Sequence, residues 1–260
     1  MINIQNAKDT FLDYVKNYDI NNGRIKLKMI HILNVAKNCK EIAESLKLDD
    51  EQIKLAYLIG LFHDIGRFEQ VRIYNTFSDK DTGLDHGEYS LKVLYDDKLI
   101  EKFIDTNKYD DIIKKAVFYH NKAKIADDVK DDSLMFSKII RDADKIDIYR
   151  VINEEEMKDI FWYEEFNDLD ISENLMNEFE NTHFISYKDI KNNADLILAF
   201  YGYVFDFNYE YCLKNISENR YLERFYQRIK DTFKSDNINK KVDKVLGICN
   251  NYINEKTKSM

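Results

Sequence analysis

Apolar positions recur at helical spacing along most of this chain. Ile25, Met29, Ile32, Ala36, Cys39, Ala43 and Leu46 follow one another in steps of four and three, with lysines and glutamates between them, which predicts an amphipathic helix. Tyr109, Ile112, Ile113, Ala116 and Val117 form a second stripe, and Phe136, Ile139, Ile140 and Ala143 a third. Segment 53–65 is apolar nearly all round, as expected of a helix enclosed by others. Residues 67–85, RFEQVRIYNTFSDKDTGLD, lose the period and read as a long loop, a length that points to function or disorder. Asp85 and Glu88 then bracket a helix start, an aspartate variant of the capping box. Residues 152–260 are again helical in pattern, with the aromatic-rich run NADLILAFYGYVFDFNYEYCLKNI. No Gly-, Ser- or Pro-rich linker divides the chain. The expected fold is a single all-α domain over 1–260, with a core at about 24–150 and later helices packed on it to shape a pocket.

Composition agrees. The 260 residues include no proline and only seven glycines, too few for the tight turns of a β-sandwich or barrel. A formal net charge of −9 makes duplex DNA or long RNA a poor partner, while a local cationic cluster still suits a small anion. Cys39, Cys212 and Cys249 lie far apart and show no disulfide or zinc-ribbon spacing. The opening MINIQNAKDTFLDYV lacks a basic start followed by an apolar core, and no apolar run reaches bilayer length, so the expected setting is the cytoplasm, with no membrane partner.

The candidate chemistry lies in the histidines. LAYLIGLFHDIGRFEQ ends the most apolar segment on His63 and Asp64. His31 borders the first stripe, and His120 continues the second at three residues after Val117. His86 stands beside the predicted N-cap, and Asp144 follows Ile140 by four on the third stripe. An inward histidine alone is usually a satisfied core residue. An inward aspartate needs a partner, because burying an unpaired carboxylate is very costly. Several inward imidazoles with two inward carboxylates are best explained by one or two divalent cations, of a type such as Fe, Mn, Zn, Co or Ni. His183 reads as a surface or packing residue.

The order His31, His63-Asp64, Asp144 resembles the H…HD…D signature of the HD-domain superfamily of metal-dependent phosphohydrolases. Asp144 stands in an A-D-K context similar to that family's. His86 and His120, with the strings HDIGR, DHGEYSLKVL and FYHN, resemble its dinuclear branch. The resemblance covers roughly 24–150. It implies that His31, His63, Asp64 and Asp144 hold a first metal, and that Asp64, His86 and His120 hold a second with Asp64 bridging. It also implies hydrolysis of a small phosphate ester, a nucleotide or another phosphomonoester or diester, with catalytic roles at Asp64, His86 and His120. His86 or His120 could instead contact substrate or act as an acid. The same ligands resemble those of the HD-fold mixed-valent diiron oxygenases such as myo-inositol oxygenase, and a nucleotide-sensing binding module is a third reading.

An anionic substrate calls for fixed cations. Arg67 follows the His-Asp pair by three residues, Lys145 follows Asp144, and Arg24 and Lys28 precede His31 by one or two turns. Each is a candidate for the phosphate, against a solvated helix charge as the alternative. Asp142 and Asp147 are candidates to orient the metal-bound histidines, or are surface acids.

Overall fold

The structure is a computed structural model that describes residues 2–160 and 170–258. Among these residues the chain is helical and contains no strand, so the all-α expectation holds. No helix among them is long and apolar enough to cross a membrane. Contacts divide the chain into two compact units, residues 1–147 and 148–260.

The first unit contains α1 (Ile4–Val15), α2 (Gly23–Ser45), α3 (Asp50–Phe62), α4 (Arg67–Tyr74), α5 (Asp79–Thr82), α6 (His86–Leu91), α7 (Asp110–Tyr119) and most of α8 (Asp131–Glu154). Helix α3 starts on a full capping box. Gln52 N donates to Asp49 Oδ1 at 2.9 Å, and Asp49 N donates to Gln52 Oε1 at 3.2 Å. From Leu55 to Phe62 every residue of α3 is buried, as its all-apolar pattern predicts. Each large side chain there contributes about 1.5–3 kcal/mol by leaving water.

Two glycines let other elements approach the His-Asp pair. A Cβ at Gly60 would lie 2.5 Å from Ala36 Cα, so α2 and α3 can come this close only at a glycine. A Cβ at Gly66 would lie 2.8 Å from Ser90 N, and the Gly66 N–H itself donates to Ser90 Oγ at 3.1 Å. These contacts bring α2 and α6 against the end of α3.

The segment expected to be a long loop, 67–85, instead contains α4 and α5. Helix α4 is eight residues long, too short to repeat an apolar step. Beside Phe68 and Val71 it also buries the polar Arg67 and Gln70, which hides its amphipathic character in the sequence. The start of α6 is as expected in one half. Glu88 N donates to Asp85 Oδ1 at 3.1 Å.

The second unit takes the end of α8 and holds α9 (Met157–Ile160), α10 (Glu173–Thr182), α11 (Asn193–Gly202), α12 (Glu210–Glu218), α13 (Tyr221–Thr232) and α14 (Asp236–Lys258). Of the helical stretch expected over 152–260, residues 161–169 and 259–260 lie outside the described residues. Buried Asp195 accepts from Ser172 N at 2.8 Å and Lys191 N at 3.1 Å, tying down the approach to α11. Tyr149 donates to Phe200 O at 2.9 Å. His183 ends α10 at a φ of 57° and stacks on Phe205, with ring centroids 4.2 Å apart.

Candidate metal centre

Five helix segments of the first unit deliver the six candidate residues. His31 sits mid-way along α2 and Asp144 on α8. His63 caps the C-terminus of α3, with Asp64 in the turn that follows. His86 is the first residue of α6, and His120 caps α7. The turn after α7 is held from α8 by Arg141, which donates to Tyr119 O at 3.0 Å, Lys122 O and Ala123 O at 3.4 Å.

The four imidazoles share one arrangement. Each Nδ1 faces an oxygen: Asp147 Oδ2 for His31 at 2.8 Å, Gly60 O for His63 at 2.7 Å, Val117 O for His120 at 2.6 Å, and Asp79 Oδ2 for His86. Carbonyls and carboxylates only accept, so each Nδ1 carries the hydrogen. In a neutral ring, Nε2 is then a bare lone pair.

Those Nε2 atoms converge on Asp64. His31 and His63 stand 3.7 and 3.5 Å from its Oδ2. His86 and His120 stand 3.7 and 3.6 Å from its Oδ1. Asp144 Oδ1 joins the first pair, 3.1 Å from His31 Nε2 and 3.9 Å from His63 Nε2. His31, His63 and Asp64 thus make one set of donors close enough to share an ion, and Asp64, His86 and His120 make another. All six predicted ligand positions are brought together, with Asp64 common to both sets.

Acceptors aimed at one another need positive charge between them. On the His31 side the Lys28 ammonium, 2.7 Å from Asp64 Oδ2, supplies part of it. Burial and Lys28 press the His31 pKa down, but hydrogen bonds to Asp144 and Asp147 more than reverse this and raise it. On the other side Arg67 Nε stands 3.6 Å from Asp64 Oδ1, but no hydrogen bond is made there. Asp64 Oδ1 and His120 Nε2 are buried without any hydrogen-bond partner. Such orphans are rare in a native core because each keeps its full desolvation penalty. Burial also lowers the pKa of His63, and brings that of His86 down to about 4, so these rings stay neutral near pH 7. Neutral imidazole and ionised carboxylate are the donor set of a first-row transition metal. The residues therefore fit a divalent cation in either set.

The carboxylates are ionised in spite of their burial. Burial would raise the pKa of Asp64, yet the Lys28 ammonium beside it holds it well below the usual carboxylate range. Asp144 is likewise lowered against its burial, chiefly by the hydrogen bond to His31.

The four cations expected near the substrate separate into two pairs. Lys28 Nζ lies 2.7 Å from Asp64 Oδ2, and Arg67 Nε lies 3.6 Å from Asp64 Oδ1, so each oxygen of the shared carboxylate faces one cation. Both cations also lie over the Phe77 ring, at 5.1 and 5.8 Å from its centroid. Arg67 Nε is buried and has no hydrogen-bond partner, whereas its NH1 donates to Gln70 Oε1, Phe77 O and Asp79 Oδ1. Lys145 is buried and donates to Arg141 O at 3.2 Å. Arg24 is exposed at the start of α2 and reaches Asn75 Oδ1 at 3.3 Å.

Asp147 and Asp142 are both buried, so neither is a surface acid, and Asp147 fixes the His31 ring. Asp79 and Gln70 were not singled out by the sequence. The signal available for them was an aspartate within a segment too long for an idle loop.

A protein-family model described as HD domain matches residues 29–149. This stretch includes His31, His63, Asp64, His86, His120 and Asp144. No curated protein and no solved structure matches the chain.

Proposed function

We propose that the HD domain at residues 29–149 makes this chain a metal-dependent phosphohydrolase acting on a small phosphate ester. The observation that carries the reading is the convergence of four imidazole Nε2 atoms on Asp64, with Asp64 Oδ1 and His120 Nε2 buried and unpartnered. His31, His63, Asp64 and Asp144 would hold one divalent cation, and Asp64, His86 and His120 a second. A bound cation of this kind supplies Lewis acidity and lowers the pKa of a water to near neutrality.

The chain's own groups do the rest. Asp64 is shared, so its two oxygens keep the two donor sets in register. Asp147, Gly60, Val117 and Asp79 fix the histidine tautomers. Lys28 and Arg67 place two positive charges beside the cluster, where phosphoryl oxygens need them. His86 is held near a pKa of about 4, which suits a neutral ligand better than a proton donor at pH 7. The substrate is small and anionic, because a net charge of −9 disfavours long nucleic acid.

The test is a phosphate-release screen over phosphomonoesters, nucleotides and cyclic nucleotides, run without oxygen on protein loaded with Mn, Co, Ni or Fe. Metal-dependent release, absent in Asp64→Ala, supports the reading. Oxygen consumption by the iron-loaded protein without phosphate release would instead favour the oxygenase.

A further inference from the structure

Asp79 touches both halves of the site. It is the first residue of α5, after the Ser78 cap. Its Oδ1 accepts from Arg67 NH1 at 2.6 Å and from Gln70 Nε2 at 3.3 Å. Its Oδ2 accepts from the His86 ring at Nδ1 and from the His86 backbone N–H at 3.3 Å. We propose that Asp79 is a positioning residue of the second cation pocket, setting the His86 tautomer and pinning Arg67 so that its Nε faces Asp64. The inference rests on the reading given under Proposed function.

The role follows from a competition at one atom. Asn121 Nδ2 also approaches His86 Nδ1, at 3.3 Å. An amide nitrogen only donates, so a hydrogen bond from Asn121 requires a bare Nδ1. A carboxylate only accepts, so Asp79 requires a protonated Nδ1. With Asp79 in place, the hydrogen is on Nδ1 and the Nε2 lone pair faces Asp64 Oδ1, 3.7 Å away. Without it, the Asn121 amide still faces Nδ1. The ring then takes the opposite tautomer, and its Nε2–H points at Asp64 Oδ1, where a cation ligand needs a lone pair. The same carboxylate holds one of the bonds that keep the Arg67 guanidinium in place, so its loss also loosens the cation nearest Asp64 Oδ1.

The experiment compares wild type, Asp79→Ala and Ser78→Ala as full-length protein. The Ser78 variant removes the Oγ that caps Asp81 N at 3.2 Å, loosening the same segment without touching the carboxylate. Nitrogen-15 NMR of the metal-free protein reads the His86 tautomer, and manganese titration reads the number and affinity of sites. The expected result is a switch of His86 from Nδ1–H to Nε2–H in Asp79→Ala. Roughly a 10–100-fold loss of affinity for the second manganese should accompany it, with the first kept and Ser78→Ala like wild type. An unchanged tautomer, or a second manganese bound as tightly as in wild type, overturns the role of Asp79 alone. Equal losses in both variants overturn it too, because looseness of the segment would then explain them. Wild-type protein that binds no manganese overturns the functional reading together with the cation-pocket role.

Discussion

The ammonium of Lys28 lies 2.7 Å from Asp64 Oδ2, with the side chains 15% and 5% exposed. It is a cation already present beside the carboxylate that both donor sets share. Removing one partner of a buried pair costs about 3–5 kcal/mol, because the other charge is left uncompensated. Lys28→Met should therefore lower the stability of chelator-treated protein by about 3 kcal/mol. Manganese supplies the missing charge, so the loss should be smaller in its presence, and by linkage the variant should bind manganese more tightly than wild type. Urea unfolding with and without chelator reads both effects. Equal losses in the two conditions would contradict the account.

Metal removal should be visible in stability as well as in activity. A ligand that binds only the folded state at 100 times its Kd adds about 2.7 kcal/mol. Thermal unfolding of wild type should shift upward with manganese and return with chelator. His63 is fully buried and faces both Asp64 and Asp144, so His63→Ala should abolish most of the shift. A full shift in that variant would place the ion elsewhere.

Asp147 lies 116 residues from His31 and meets its Nδ1 at 2.8 Å. Asp147→Asn keeps the size of the side chain and removes the charge that holds the tautomer. The first site should lose roughly 10–100-fold in metal affinity while the fold persists. Isothermal titration with circular dichroism separates the two. Unchanged affinity would make Asp147 a structural residue only.

Acid should weaken the metal-free chain before its carboxylates titrate. Burial lowers the pKa of His63, and that of His86 to about 4, from 6.5 in an unfolded chain. Below 6.5 the unfolded state binds more protons at both rings, so each contributes stability above 6.5 that is lost as pH falls through its folded value, about 4 for His86. His31 has a raised pKa and acts in the opposite sense, its contribution being full below 6.5 and lost as pH rises through its folded value. The large downward shift of His86, to about 4, sets the balance, so chelated protein should be less stable at about pH 5 than at about pH 7. Asp79 and Asp144, both lowered, add their loss only below their ordinary 3.8. Urea midpoints across this range provide the check, and a flat profile would contradict the neutral imidazoles.

Much of the cluster could be read from the sequence because its residues stand where local pattern rules conflict with chemistry. His63 and Asp64 end an all-apolar helix, while His120 and Asp144 fall on apolar stripes. Each is a polar residue at a position the helical period assigns to the core. Arg67, Gln70 and Asp79 offer no such conflict. They partner one another across a short helix whose buried face is partly polar, so the period that would have announced α4 is absent. The limit between the two units was invisible for another reason. It falls inside α8, where a continuous helix needs no glycine, proline or change of composition.

In the proposed function, Asp64 joins two cation sites of a phosphohydrolase. The most direct measurement is elemental analysis of purified wild type and Asp64→Ala, paired with anaerobic phosphate release on the same samples. The account predicts two transition-metal ions per wild-type chain, with metal and phosphate release both lost in Asp64→Ala. Full phosphate release by an Asp64→Ala protein that carries no metal would contradict it.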